Sequence, residues 1–75
     1  MINATLTSKD DTTNYSFTVN HENKNYDVIV YLNGRGKFID DRIYFDEEEL
    51  GHEGEEGEIR EAIMDYLDEN WDKLV

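Results

Sequence analysis

Five carboxylates recur at helical spacing near the C-terminal end of the chain. They are Glu58, Glu61, Asp65, Asp68 and Asp72, separated by three, four, three and four residues. On an α-helix this spacing stacks side chains in one column on a single face. At a rise of about 1.5 Å per residue, the column would extend over about 21 Å. This acidic column would present a regular row of negative charge to a positively charged partner.

The net charge of −12 comes entirely from the second half of the chain. Residues 1–39 carry four acidic and four basic side chains, whereas residues 40–75 carry 15 acidic side chains against three basic ones. A charge that served solubility alone could be spread anywhere, so its segregation favours a binding surface. Beyond the column, the acids that we predict to bind the partner are Asp40, Asp41, Glu47, Glu48, Glu49, Glu53, Glu55, Glu56 and Glu69.

The charge also excludes some partners, and no residues have the spacing of a catalytic or metal site. Phosphates of nucleic acids and anionic membranes attract Lys and Arg, so direct binding to either is disfavoured. Read as a calcium loop from Asp46, the chain has Leu50 where an oxygen ligand is needed and Gly57 where a glutamate is needed. His21 and His52 have no second His or Cys at ligand spacing and are predicted to be solvated. We therefore predict no enzyme activity, no cofactor and no dedicated metal site.

Alternating apolar and polar residues predict four strands before the acidic segment. They cover Ile2–Thr7, Tyr15–Val19, Tyr26–Leu32 and Lys37–Phe45, with a polar turn at Ser8–Thr13. The third strand is partly apolar on both faces, which is typical of a central strand. Asn33-Gly34 predicts a hairpin, which Gly36 could extend. If Ile39, Ile43 and Phe45 face inward in the fourth strand, Asp41 must lie at a bulge or an edge.

Glycines and dense like charge predict a mobile loop over residues 46–57, and a helix follows over residues 58–74. The apolar stripe of this helix consists of Ile59, Ala62, Ile63, Tyr66, Leu67, Trp71 and Leu74. Packed on the sheet, the stripe would complete one α+β domain over residues 1–75: a four-stranded antiparallel meander (1–45) followed by one C-terminal amphipathic helix. The chain has no cysteine, no membrane-spanning run and no visible signal peptide, so we expect a cytoplasmic protein.

In size and in the segregation of its charge, the chain resembles the small acidic inhibitors of phages and mobile elements, such as anti-CRISPR and anti-restriction proteins. The resemblance covers the second half and is one of composition. It implies a DNA mimic that blocks the basic groove of a nucleic-acid-binding protein, such as a nuclease or a CRISPR effector, in the cytoplasm of the host cell. Two alternatives remain: an adaptor that binds through its sheet or hairpin, with Tyr31 and Tyr44 on the face away from the helix, and a weak binder of divalent cations.

Overall fold

The computed structural model describes residues 2–10 and 13–75, which form one antiparallel sheet and two helices. The elements are β1 (Ile2–Asp10), β2 (Asn14–His21), β3 (Lys24–Leu32), β4 (Phe38–Phe45), β5 (Glu48–Glu49), α1 (Gly54–Glu69) and α2 (Trp71–Leu74). The strand order in the sheet is the order in the chain, so the sheet is a meander. The predicted α+β fold is confirmed, and β5 adds a short fifth strand.

The core lies between the sheet and α1, because alternate residues of the middle strands face the helix. The buried apolar side chains are Tyr15, Phe17, Val19, Tyr26, Val28, Val30, Leu32, Ile43, Leu50, Ile63 and Leu67. β3 is hydrogen-bonded on both sides, which confirms the predicted central strand. The Trp71 ring packs edge-on against Tyr15 and Phe38, with ring centroids 5.0 and 5.1 Å away. Of the apolar stripe predicted for the C-terminal helix, all residues except Ala62 belong to the core or pack against it.

A β-bulge at Ile39 sets the register of β4. The register shifts between the pair that ends at Phe38 and the pair Tyr31–Asp40, so Ile39 is the extra residue. Its side chain is 64% exposed. The condition that Ile39, Ile43 and Phe45 all face inward is therefore met by the buried Ile43 but not by Ile39. Asp41 lies opposite the buried Val30 and two residues before the buried Ile43, so strand alternation directs its side chain towards α1.

The hairpin predicted at Asn33-Gly34 is present, and Gly36 extends it. The Asn33 side-chain oxygen accepts hydrogen bonds from the backbone N–H groups of Arg35 (2.8 Å) and Lys37 (3.0 Å). Gly36 has a φ of 80°, the left-handed conformation that closes a three-residue hairpin loop. At the other end of the sheet, β1 includes residues 8–10 of the predicted polar turn, and residues 11 and 12 lie outside the described residues.

The segment 46–57 is not the loop that its glycines and charges predict. Asp46 and Glu47 have φ values of 53° and 70°, as a two-residue type I′ turn requires, and they connect β4 to β5. Helix α1 begins at Gly54 rather than at Glu58. The predicted bounds of the loop (46–57) and of the helix (58–74) are therefore wrong. A hairpin turn forms at residues 46–47 without an Asn-Gly pair, and the helix begins within the glycine-containing segment.

Two contacts explain how the glycine-rich segment becomes helical. The Glu56 carboxylate reaches back from the first turn and accepts the backbone N–H of Gly51 at 2.7 Å, which resembles a capping box. A Cβ atom on Gly57 would lie 2.5 Å from the backbone oxygen of His52. Gly57 is therefore needed for a close approach of the preceding chain to α1, and it does not interrupt the helix.

The C-terminal helix is interrupted at Asn70, where the sequence predicts continuity to residue 74. The Asn70 side-chain amide donates to the backbone oxygen of Tyr66 at 2.9 Å, and α2 begins at the next residue. The last turn of α1 has no basic residue, since Lys73 belongs to α2. Within the described residues, neither helix has the length and apolar character needed to cross a membrane.

Candidate protein-binding surface

Four members of the acidic column lie on the exposed face of α1. Glu58, Glu61, Asp65 and Asp68 are exposed, whereas the side chains on the opposite face are buried in the core. At about 1.5 Å per residue, the four carboxylates span about 15 Å, or about 5 Å between neighbours. The fifth member, Asp72, is exposed but follows the interruption at Asn70. The regular part of the column is therefore shorter than the sequence predicts.

Most of the other acids predicted to bind the partner are also exposed. They are Asp40 in β4, Glu47 in the turn, Glu48 and Glu49 in β5, Glu53 before α1, and Glu55, Glu56 and Glu69 in α1. The β4–β5 hairpin and the first turn of α1 carry most of them. The acidic surface therefore continues from the helix face to one edge of the sheet.

Asp41 is the exception among the predicted residues, because it takes part in an internal ion pair. Arg60, which is only 5% exposed, donates from Nη2 to both the carboxylate and the backbone oxygen of Asp41. Its Nη1 donates to the backbone oxygen of Leu50 at 3.0 Å. Arg60 therefore joins α1 to β4 and to the segment after β5. The assignment of Asp41 to the partner-binding set is corrected: its charge is neutralised inside the fold.

Arg60 itself is a residue that the sequence reasoning missed. It lies three residues before Ile63 and seven before Leu67, so it belongs to the buried face of α1. A single basic residue on the apolar face of a helix, together with an acid at an inward-facing strand position, is the sequence pattern that could have predicted this ion pair. The inward position of Asp41 follows from strand alternation, because it lies two residues before the buried Ile43 and opposite the buried Val30.

One further acid, Glu49, takes part in an ion pair. Glu49 pairs with Arg42 across β4 and β5 at 3.3 Å, with both side chains well exposed. The pKa of Arg42 is raised above its ordinary value, mainly by the negative charge of Glu49 and to a smaller extent by Tyr44 and Asp40. Within residues 2–10 and 13–75, the ion pairs are this one and Arg60–Asp41, so the column carboxylates are unpaired.

A groove beside the column brings a base of the first half close to it. It lies between the β3–β4 loop and the helices, and Lys37, Asp65, Asp68 and Trp71 are among its lining residues. Lys37 forms no ion pair with either aspartate among the described contacts. The column therefore has one basic neighbour that its own helix does not supply.

A second concavity, the Phe45 cleft, lies between the β3–β4–β5 edge and the start of α1. It has a volume of about 280 Å³ and is lined by Lys24, Tyr26, Phe45, Glu48, Glu49, Leu50, Glu55, Glu56 and Ile59. Phe45 is 39% exposed, and its ring centroid lies 5.3 Å from that of Tyr26. The Lys24 ammonium lies 5.7 Å from the Phe45 ring centroid. Apolar walls are thus combined with a rim of four carboxylates.

The electrostatic environment of this cleft is visible in Tyr26. Burial raises the pKa of Tyr26 above its ordinary value, and Glu22 and Glu55 raise it further. A negative potential disfavours the tyrosinate, and it favours any cation placed in the same position. Beside the cleft, Glu55 and the column residue Glu58 line one adjoining concavity. The cleft therefore continues into the acidic column.

The other face of the sheet lies away from α1. Ile29, Tyr31 and Tyr44 alternate with buried residues of β3 and β4, and all three are half-buried on that face. The predicted position of the two tyrosines is confirmed. His21, predicted to be a solvated loop residue, is instead half-buried at the end of β2, and its Nδ1 has no partner among the described contacts.

No group of three or more His, Asp or Glu side chains within residues 2–10 and 13–75 is arranged to hold a metal ion. Comparison with protein-family models, with curated proteins and with solved structures found no match. The function is therefore argued from the surface itself.

Proposed function

We propose that this protein is a small acidic inhibitor that mimics nucleic acid. Its acidic column and the neighbouring acids enter the basic groove of a nucleic-acid-binding protein and exclude the natural ligand. The target class is a nuclease or a CRISPR effector, and the inhibitor acts in the cytoplasm, in the manner of phage and mobile-element products. It performs no reaction and needs no cofactor.

The observation that carries this proposal is a row of unpaired carboxylates on a helix that is firmly attached to the sheet. Ile63 and Leu67 are fully buried beneath the row, and Arg60 joins the same helix to β4. A rigid row loses little conformational freedom on binding, which favours affinity. Regular spacing also suits a groove whose own charges are regularly placed.

The spacing of the column is comparable with that of a nucleic-acid strand. Neighbouring carboxylates are about 5 Å apart along the helix axis, against about 3.4 Å of axis per phosphate on one strand of B-DNA. Acids of the β4–β5 hairpin and the first helical turn add charge beside the row. The combined surface thus approaches the charge density to which a basic groove is complementary.

The arrangement lowers the stability of the helix. Glu58–Glu61, Glu61–Asp65 and Asp65–Asp68 are successive like-charge neighbours on one helix face. Each such pair destabilises a helix by about 0.2–0.5 kcal/mol. A helix selected for stability alone would place Lys or Arg among these positions. Tolerance of this cost in a small domain supports a demand for a negative surface.

The test begins by identifying a target. The protein is immobilised and exposed to a bacterial lysate at about 0.05 M salt, and bound proteins are released at about 0.5 M salt, where surface charges are screened. Each released protein is purified and mixed with a fluorescent DNA or RNA duplex. Under the proposal, adding the acidic protein displaces the duplex, which lowers the fluorescence anisotropy.

Charge reversal then locates the interface. The variant Glu61→Lys, Asp65→Lys, Asp68→Lys should lose the displacement. Its matched control reverses the three described acids of the first half, Asp10, Glu22 and Asp27, and changes the net charge by the same amount. The proposal fails if the helix variant still displaces the duplex, or if the control loses displacement to the same extent.

One observation favours the adaptor as a second candidate function. Ile29, Tyr31 and Tyr44 lie on the sheet face away from α1, and Ile39 is largely exposed at the bulge. Tyrosine is enriched at binding hot spots. If this face is the interface, Tyr31→Ser should abolish partner binding while the helix charge reversal leaves it intact.

A further inference from the structure

The Phe45 cleft combines an exposed aromatic ring with free carboxylates, and this combination selects a particular kind of side chain. Of the four glutamates on its rim, Glu49 is paired with Arg42 and Glu56 accepts the Gly51 N–H. The carboxylates of Glu48 and Glu55 accept no hydrogen bond among the described contacts. Two carboxylates that line the cleft, one from β5 and one from α1, thus remain as acceptors.

We propose that the Phe45 cleft binds one arginine side chain of the basic partner. The guanidinium stacks on the Phe45 ring, its stem lies against Leu50 and Ile59, and its N–H groups donate to Glu48 and Glu55. That the arginine belongs to the inhibited protein rests on the proposed function. The preference of the cleft for a guanidinium does not, because it follows from the cleft alone.

The chain already places a cation at this ring. The Lys24 ammonium lies 5.7 Å from the Phe45 centroid, within the distance at which a cation is attracted to an aromatic face. Lys24 is exposed and reaches the ring from the first position of β3. It shows that the position accommodates a positive charge. An incoming arginine displaces Lys24, which returns to water.

Arginine suits the cleft better than lysine for reasons of shape. A guanidinium is planar and weakly hydrated, so it stacks on an aromatic ring and donates to two carboxylates at once. An ammonium is a compact, strongly hydrated charge, and the cleft already contains one. The tilted Tyr26 ring supports Phe45 from the buried side, which fixes the stacking surface.

The test uses a small probe and needs no partner. The ¹⁵N-labelled protein is titrated with N-acetyl-L-arginine amide at low salt, and backbone amide shifts are followed by NMR. Saturable shifts are expected in β5 and the first turn of α1. N-acetyl-L-citrulline amide, which has the same shape without the charge, should give no saturable shifts. Equal binding of both probes would overturn the proposal.

Two variants test the contacts. Phe45→Leu keeps an apolar side chain and should lower the affinity for the arginine probe by about two- to fivefold, the range of an exposed cation–π contact. Glu55→Gln removes one carboxylate without changing the apolar walls, and it should also weaken the probe. If neither variant changes the affinity, the probe binds elsewhere on the acidic surface and the proposal is wrong.

Lys24 supplies the most specific control. Lys24→Gln should tighten binding of the arginine probe, because it removes the competing cation. Lys9→Gln changes the net charge equally and also removes a lysine that lies over an aromatic ring, that of Tyr15 at 5.3 Å. It should have a smaller effect. Equal effects of the two variants would show that only net charge matters, and the cleft would lose its role.

The two proposals can fail separately. If Phe45→Leu weakens the probe but charge reversal of the column leaves the partner bound, the cleft stands and the nucleic-acid mimic falls. If charge reversal abolishes partner binding but the arginine probe never binds, the mimic stands and the cleft proposal falls.

Discussion

Replacing Arg60 with methionine tests the internal ion pair that attaches α1 to the sheet. Methionine retains an apolar stem of similar length, so the main change is the loss of the guanidinium. Three hydrogen bonds are removed, two to Asp41 and one to the backbone oxygen of Leu50. Arg60 is nearly fully buried, so water replaces these bonds only in part.

The magnitude follows from the burial of each partner. Removing one member of a buried ion pair costs about 3–5 kcal/mol. The Asp41 side chain is 31% exposed, so water solvates part of its charge, and the cost falls towards the low end of that range. We expect a loss of about 3 kcal/mol. A domain of this size has about 4–11 kcal/mol of stability in total, so the loss is a large share.

The assay is urea unfolding followed by the fluorescence of Trp71, the only tryptophan, whose ring packs against the core. With a slope of about 1 kcal/mol per molar urea, the midpoint should fall by about 3 M. Arg42→Met is the matched control, since its pair with Glu49 is exposed on both sides. Its midpoint should remain close to that of the original protein. If the two variants behave alike, Asp41 is not an internal partner and returns to the binding surface.

Three other residues yield predictions from burial, close contact and charge. Because burial, and then two glutamates, raise the pKa of Tyr26, the folded state keeps a proton that the unfolded chain loses near pH 10. The resulting contribution to the free energy of unfolding is complete below about pH 10 and is lost as the pH rises through the folded pKa. The urea midpoint should therefore decline at alkaline pH, and Tyr26→Phe should make this decline less steep. Gly57→Ala should lower the free energy of unfolding by about 1–3 kcal/mol, because its Cβ would meet the His52 carbonyl, whereas Gly34→Ala meets nothing within 4 Å and should not. A neutral Gly57→Ala in thermal unfolding would contradict the close approach. Glu61→Lys should stabilise the fold by about 1 kcal/mol by turning two repulsive helix pairs into attractive ones, while it weakens partner binding. A loss of stability would show that the column is not repulsive.

The fold was predictable where periodicity is sustained and the packing is simple. The alternation Tyr26, Val28, Val30 and Leu32 predicts a central strand, and all four residues are buried in β3. Ile63 and Leu67 similarly predict the buried face of α1. In both cases one face of a regular element provides the burial, so the local pattern is sufficient.

The departures arise where a tertiary contact overrides the local preference. Gly57 reads as a helix breaker, but the chain at His52 approaches so closely that only glycine fits, and the helix starts before it. Asp41 reads as one more solvated acid, but it shares the inward face of β4 with Ile43 and pairs with Arg60 of α1. Neither the close approach at Gly57 nor the pairing of Asp41 with Arg60 can be predicted from one element alone, because each depends on how two segments pack together. The exposed column was predictable because it depends on helical spacing alone.

The distribution of basic residues links the fold to the proposed interface. Of the three in residues 40–75, Arg60 is buried against Asp41 and Arg42 is paired with Glu49 in the β4–β5 hairpin. Lys73 lies in α2, beyond the interruption at Asn70. Arg60 therefore joins the helix to β4, Arg42 lies in the hairpin, and neither neutralises the outward face of α1. If acidity served only solubility, cations could be placed among the column residues, where they would stabilise the helix. The placement of these cations beneath and beside the acidic surface favours an interface whose charge is kept available for a partner.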